Sequence, residues 1–288
     1  MTSLNDVLES SALTKVAGGM SFTEGPLWHP DGFFYFVDLF ANRLYRLVPG
    51  GTPELVRTTE GGNGTTFDLQ GRLIHCEGDG RKVTRLERDG TVTTIADRID
   101  GKRLSRPNDV ICHSNGMLLF TDPDFRVPLA QREIGHAAVY RIAPDGSVSE
   151  FLRVEYPNGL ALSRDERTLY VANTRWTQYI HAVELDSAGN VVRRRIFADM
   201  SADGTSGVPD GMKIDEAGRV FCTGTGGVWV FEPDGRLIGI IAMPEVCANI
   251  AFGGPDLRTL LLTASTSVYT LRTKVPGLPH PWYSLRKA

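Results

Sequence analysis

Residues 157–190 read PNGLALSRDERTLYVANTRWTQYIHAVELDSAGN: a Gly-containing start, an apolar strand, a polar turn, a second apolar strand, a break and a third strand. The same order recurs in EGPLWHPDGFFYFVDLFANRLYRLVPGG, residues 24–51, and in PDGMKIDEAGRVFCTGTGGVWVFEPDG, residues 209–235. Weaker copies begin at Asn63, Asn108 and Asn249. The six starts at 24, 63, 108, 158, 210 and 249 are separated by 39, 45, 50, 52 and 39 residues. A period near ~40 residues with about four strands per copy marks a propeller blade. A β-sandwich rarely carries six copies of one unit, and the coils of a parallel β-helix are much shorter. The expected fold is all-β: a six-bladed β-propeller with four-stranded blades, one domain over residues 1–288.

The turns agree. Pro30-Asp31-Gly32, Pro144-Asp145-Gly146 and Pro233-Asp234-Gly235 supply the fixed φ and the positive φ that tight turns require. Phe33–Val37 and Thr168–Ala172 are rich in the β-branched and aromatic residues of strands. Helical periodicity is confined to the first dozen residues. The segment Leu13–Ala17 is a candidate outer strand to close the ring against the last blade. The excursion from Asp122 to Ala138 is read as an inter-blade loop overhanging one mouth.

Lys plus Arg number 31 and Asp plus Glu 34, so the formal charge is only −3. That balance predicts neither nucleic acid nor an anionic membrane as a partner. The first residues lack the cationic and apolar regions of a signal peptide, and no apolar run approaches the ~20 residues of a membrane helix. Cys76, Cys112, Cys222 and Cys247 lie far apart without a CxxC pair. They read as reduced, buried thiols in a cytoplasmic protein.

In a propeller the innermost strands line the central channel, so residues at equivalent repeat positions converge. Here the position at which each copy begins is held by Glu24, Asn63, Asn108, Asn158, Asp210 and Asn249. Taken singly, Asn-Gly and Asp-Gly are turn dipeptides. These residues, however, precede the inner strand, where no hairpin turn is needed. Six oxygen-bearing side chains gathered on one axis are costly to bury without a partner. Two carboxylates with several amide oxygens make a hard site suited to Ca²⁺ or Mg²⁺ and able to take Mn²⁺ or Zn²⁺.

The segments SFTEGPLWHPDG, RPNDV, YPNGLALSRDERTLYVANT and VPDGMKIDEAGRVF resemble those of the senescence marker protein/gluconolactonase family. Regucalcin is a member, and diisopropyl fluorophosphatase is a more distant relative. The likeness runs from about residue 20 to the terminal VPGLPHPW. It implies a lactone-opening hydrolase, a glucono-type sugar-acid lactone as substrate, and one divalent cation, Ca²⁺ foremost, held by Glu24, Asn158 and Asp210. It further implies Asp210 as general base, with a nucleophilic role as the variant. By the same resemblance Asn108 would contact the substrate or a metal-bound water, or ligate the metal directly, and Arg106 would contact substrate hydroxyls unless it serves as an inter-blade ion-pair partner. An acidic substrate contact of some members has no clean match, although Asp122 and Asp124 lie near its place.

Rival chemistries lack anchors. The six histidines show no HxxxH or HxH spacing for zinc, no GxSxG elbow offers a serine nucleophile, and GGNG and GTGG match no nucleotide-binding loop. His136 and Trp176 fall in expected mouth loops, Trp176 as a packing residue. The alternatives are a phosphotriesterase-like hydrolase on the same metal, a non-catalytic calcium-binding regulatory propeller and, less well matched, a strictosidine-synthase-like propeller. A monomer or small homo-oligomer is expected.

Overall fold

The computed structural model describes residues 2–203 and 206–286. Six four-stranded antiparallel sheets follow one another along the chain. Their inner strands are Thr23–His29, Gly62–Phe67, Val110–Cys112, Pro157–Leu162, Met212–Ile214 and Cys247–Gly253. Each touches the next, and the last returns to the first. The fold is the six-bladed propeller that the repeat spacing predicts.

Burial explains the composition of each strand. Thr23–His29 and Cys247–Gly253 are covered on both faces by neighbouring blades, so they lack polar/apolar alternation. Outer strands such as Glu54–Thr58 face water, mixing Glu54, Arg57 and Thr58 with the exposed Leu55 and Val56. The apolar clusters lie between blades: Phe221, Val228 and Val230 of the fifth pack against Leu260 and Leu262 of the sixth. A blade therefore buries its faces only with its neighbours, and closing the ring covers the last pair.

Closure is made by the chain's beginning. Thr14–Gly18 pairs antiparallel with Ser267–Arg272 and becomes the outer strand of the sixth blade, the place expected for Leu13–Ala17. Gly32, Gly146 and Gly235 of the Pro-Asp-Gly turns adopt φ of 93°, 86° and 94°, the region only glycine enters freely. At the far end of the channel Trp282 and Tyr283, on the short helix Pro281–Leu285, pack against the first blade.

One expectation needs correction. The excursion between Asp122 and Ala138 is not inter-blade. It joins the second and third strands of the third blade, Leu118–Asp122 and Ala138–Ile142, which pair directly. Copy spacing counts the extra residues without saying which turn absorbs them. The loop does overhang the mouth, where Phe125 and Arg126 line a cavity.

Candidate metal centre

Four of the six inner strands start with a β-bulge, a device that re-aims side chains. Register slips between Glu24 and Leu27, Gly62 and Thr65, Pro157 and Leu160, and Cys247 and Asn249. In the third and fifth blades the same kink is made by paired hydrogen bonds. Asn108 N donates to Thr121 O while Thr121 N donates to Asp109 O, and Asp210 and Gly211 treat Thr223 likewise. The bulge turns the first residue of each copy toward the axis. Glu24, Asn63, Asn108, Asn158 and Asp210 consequently line one cavity of about 110 Å³, together with Arg106.

Asn249 does not belong to this tier. Gly64 N donates to Asn108 O and Gly211 N to Ala248 O, so Ala248 is the sixth blade's mouth residue. Asn249 lies one step deeper, at the level of Gly25, Gly64, Gly159, Gly211 and Asp109. The repeat there is a weak copy without Gly, and the register could not be read from it. This second tier explains the glycines. A methyl on Gly64 would overlap Asp109, and one on Gly211 would overlap Asn249. Asp109 and Asn249 thus fill channel space beside Gly64 and Gly211, while Gly25 and Gly159 let the backbone of Asn63 and Asp210 approach.

Gly211→Ala is expected to destabilise the protein by about 1–3 kcal/mol, the cost of overpacking, outweighing any gain from a stiffer unfolded chain. Urea unfolding measures this. Combining it with Asn249→Ala should recover part of the loss, and a neutral Gly211→Ala would contradict the two-tier packing.

The deeper tier also orients the upper one. Asn249 Nδ2 donates to Glu24 Oε2 at 2.9 Å, and Gly25 N donates to the same oxygen at 2.8 Å. Asp109 is buried, its oxygens accepting from Val110 N at 2.9 Å and Leu160 N at 3.2 Å. It therefore ties the third blade to the fourth. Sequence reading missed it because a side chain at a Gly position reveals its role only when the blades are superposed.

Asn158 has a defined flip. The Thr174 hydroxyl donates to Pro209 O at 2.7 Å, so its oxygen accepts from Asn158 Nδ2 at 2.9 Å. That leaves Asn158 Oδ1 buried without a hydrogen-bond partner. An orphaned acceptor costs about 1–3 kcal/mol. The neighbouring acids are strained in the same sense. Desolvation raises the Glu24 carboxyl to about 7. Asp210 is driven well above the carboxylate range by desolvation and then by Glu24, with Asp109 adding to it. Arg126 and Asn158 relieve Asp210 only in part.

These groups fit a hard cation: two carboxyls whose donors and the nearby Arg126 offset desolvation and repulsion only in part, and an amide oxygen with no donor. Among the described residues no three His, Cys, Asp or Glu side chains gather as a metal cluster. The fit therefore rests on mixed carboxylate and amide oxygens.

Around this core, Arg106 is half-buried at the cavity and its guanidinium pairs with Asp79. The ion-pair alternative is thus realised at one corner of a fork that has other donors. Asp122 is buried and accepts from Ser105 N at 2.7 Å and Arg106 N at 2.6 Å. Asp124 pairs with Arg132. Asp38, Glu77 and Asn173 end the matching strands of their blades and accept backbone N–H groups of the mouth connections in the same way. This set holds the mouth in place. His136 pairs with Glu150 at 2.6 Å, away from the cavity. Trp176, expected to pack, is 81% exposed at a loop tip with φ of 62°.

A second cavity of about 390 Å³ lies at the other end of the channel, lined by Ile111, Ala161, Lys213 and Leu278 among others. It is larger, but its acids, Glu166 and Glu216, share the lining with Arg164 and Lys213, so size does not choose the site.

Residues 22–266 match the model of the SMP-30/gluconolactonase/LRE-like region. The chain belongs to this family. The gluconolactonase of Zymomonas mobilis is 30% identical, over 93% of this chain and 83% of its own length. The pentonolactonase of Haloferax volcanii is 32% identical over 84% and 81%. The solved gluconolactonase of Xanthomonas campestris superposes with a TM-score of 0.86 at 34% identity, covering 94% of this chain and 92% of that one. The SMP-30/gluconolactonase/LRE-like match spans every inner strand, so all the mouth residues described above lie within it.

Proposed function

We propose that this chain opens sugar-acid lactones with water, using one divalent cation held by Glu24, Asn158 and Asp210 and Asp210 as the general base. It is a lactone-hydrolysing carboxylic ester hydrolase, the class that the names of its gluconolactonase and pentonolactonase relatives describe. The metal reading is carried by the orphaned Asn158 Oδ1 beside two carboxyls that desolvation and mutual repulsion hold far from their ordinary range. The oxygen donors favour Ca²⁺ and also accept Zn²⁺, Mg²⁺ or Mn²⁺. The reading takes residues 1–288 as one domain around this single site. It also places the protein in the cytoplasm as a monomer or small homo-oligomer: the four cysteines are free and buried, and among the described residues no helix is long and apolar enough to cross a membrane.

A bound divalent cation polarises a lactone carbonyl and acidifies nearby water. Asp210 opens on the cavity and takes the proton as the water oxygen bonds to the carbonyl carbon. The ring C–O bond then breaks, and the proton passes to the departing ring oxygen, leaving a hydroxy acid. Glu24 is buried and held by two donors, which suits a fixed ligand better than a proton carrier. Arg106, anchored by Asp79, offers its remaining N–H groups to substrate hydroxyls. Among the described residues the Asn108 side chain makes no hydrogen bond, so its amide is available to substrate or cation. Asp210 and Asn108 are only half-buried at the cavity, which favours a catalytic over a coordinatively closed, regulatory site.

The test is a pH-indicator assay on glucono-1,5-lactone, an aliphatic lactone and a phosphotriester, with chelated protein and each metal returned separately. The aldonolactone should be turned over best, and one metal should restore at least about tenfold in rate. Full activity in the chelated protein would overturn the metal's role. Turnover of the phosphotriester alone would move the reading to that class.

A further inference from the structure

Arg126 and Arg175 stand apart from every other arginine of the chain. Neither guanidinium makes a hydrogen bond or ion pair among the described residues. All the other arginines do. Both unpaired ones line the same small cavity as Asp210. Arg126 comes from the long loop of the third blade and Arg175 from the matching loop of the fourth, so blades adjacent in the ring bring them together.

Aromatic rings hold them in place. Arg126 lies over Phe125 with 5.0 Å to the ring centroid and over Phe40 at 5.8 Å. Arg175 lies over Phe125 at 5.3 Å and Tyr156 at 5.6 Å. Stacking against a ring face leaves the in-plane N–H donors of a guanidinium free. Burial, and then the neighbouring Arg106 and Arg175 charges, lower the Arg126 pKa, with Asp210 opposing the shift only in part. The local charges do not cancel. A divalent cation balances Glu24 and Asp210, and Asp79 balances Arg106. Two positive charges remain, Arg126 and Arg175, at the entrance.

We propose that Arg126 and Arg175 form an anion subsite, and that the natural lactone bears a second acidic group (phosphate, sulfonate or carboxylate) at the end remote from the reacting carbonyl. The planar forks match the oxygens of such a group, and the rings beside them cover the apolar face of the sugar. This deepens the lactonase reading and rests on it for the reacting end of the substrate.

The experiment compares kcat/KM for glucono-1,5-lactone and its 6-phosphate in metal-loaded protein, at low and physiological ionic strength. The 6-sulfonate and 6-carboxylate analogues identify which anion is preferred. The best anionic lactone should exceed the neutral one by about 10- to 100-fold, as expected when a charged hydrogen-bond partner is present. Salt should narrow the gap. The double variant Arg126→Gln, Arg175→Gln should reduce the anionic-to-neutral ratio by at least about tenfold, and Arg→Lys at both positions should return part of it. A ratio near one in the wild type, or an unchanged ratio in the variant, overturns the proposal. Calorimetry with 6-phosphogluconate and gluconate separates the two readings. Selective binding of the phosphorylated acid, lost in the double variant, with no lactone turned over keeps the subsite and discards the lactonase. Equal binding of the two acids discards the subsite.

Discussion

Asp210→Asn lowers kcat for lactone hydrolysis by about 10³-fold, within the range that loss of a general base produces. The substitution keeps size and one oxygen, so the blade start and its bulge should persist. On the proposed mechanism it removes the group that would take the proton of the attacking water and one of the two charges that would hold a cation. Calorimetric titration with Ca²⁺ or Zn²⁺ should therefore show weakened but measurable binding through Glu24 and Asn158. A kcat within about tenfold of wild type, metal-saturated, would assign the base elsewhere. Binding weakened so far that only a large excess of metal restores the rate would make Asp210 principally a ligand.

The second large effect is thermodynamic. Desolvation raises the Glu24 carboxyl from 4.5 to about 7 in the folded, metal-free protein. Between those values the folded state binds a proton that the unfolded state has released, so stability falls as pH rises. The penalty is absent below about pH 4.5 and complete above about pH 7, and its size is about 3 kcal/mol. Asp122, raised to about 7 by burial, acts in the same direction. His75 and His280, lowered to about 3 by burial, act in the opposite one below their ordinary range. The raw pH profile mixes all of these, so the comparison must isolate Glu24. In metal-free protein, Glu24→Gln should gain about 3 kcal/mol relative to wild type between about pH 5 and pH 8. Metal should remove that pH dependence from the wild type, because a cation stabilises the charged form. Urea unfolding at the two pH values measures both. A Glu24→Gln offset that does not change with pH would mean that Glu24 is not a strained buried acid.

Much of the site could be read from the chain because the propeller turns repeat position into spatial position. Glu24, Asn158 and Asp210 occupy equivalent points of successive copies, and a ring of blades brings them to one cavity. Arg106 and Asn108 follow through their place before the third inner strand. Asn249 shows the limit of that logic. Its copy lacks the Gly that aligns four of the others, and one residue of register moved it from the mouth to the tier below. Asp109 was invisible for the same reason. Its neighbour Asn108 took the repeat position, and the channel space it fills is left by Gly64 of the second blade. Arg126 and Arg175 carried no signal either, because they sit in loops of unequal length where the repeat does not hold.

By itself the sequence determined the number of blades, their strand count, the Pro-Asp-Gly turns and the polar residue that opens five of the six copies. These depend on periodicity and on local φ preferences, which are properties of neighbours along the chain. Tertiary structure alone decided which turn absorbs residues 123–137, which of two adjacent residues faces the axis, which way the Asn158 amide is flipped and which arginines are left without partners. Those outcomes depend on what the adjacent blade presents across the channel. A one-residue bulge or a Thr hydroxyl from another strand settles them, and neither is encoded in the spacing of the repeat.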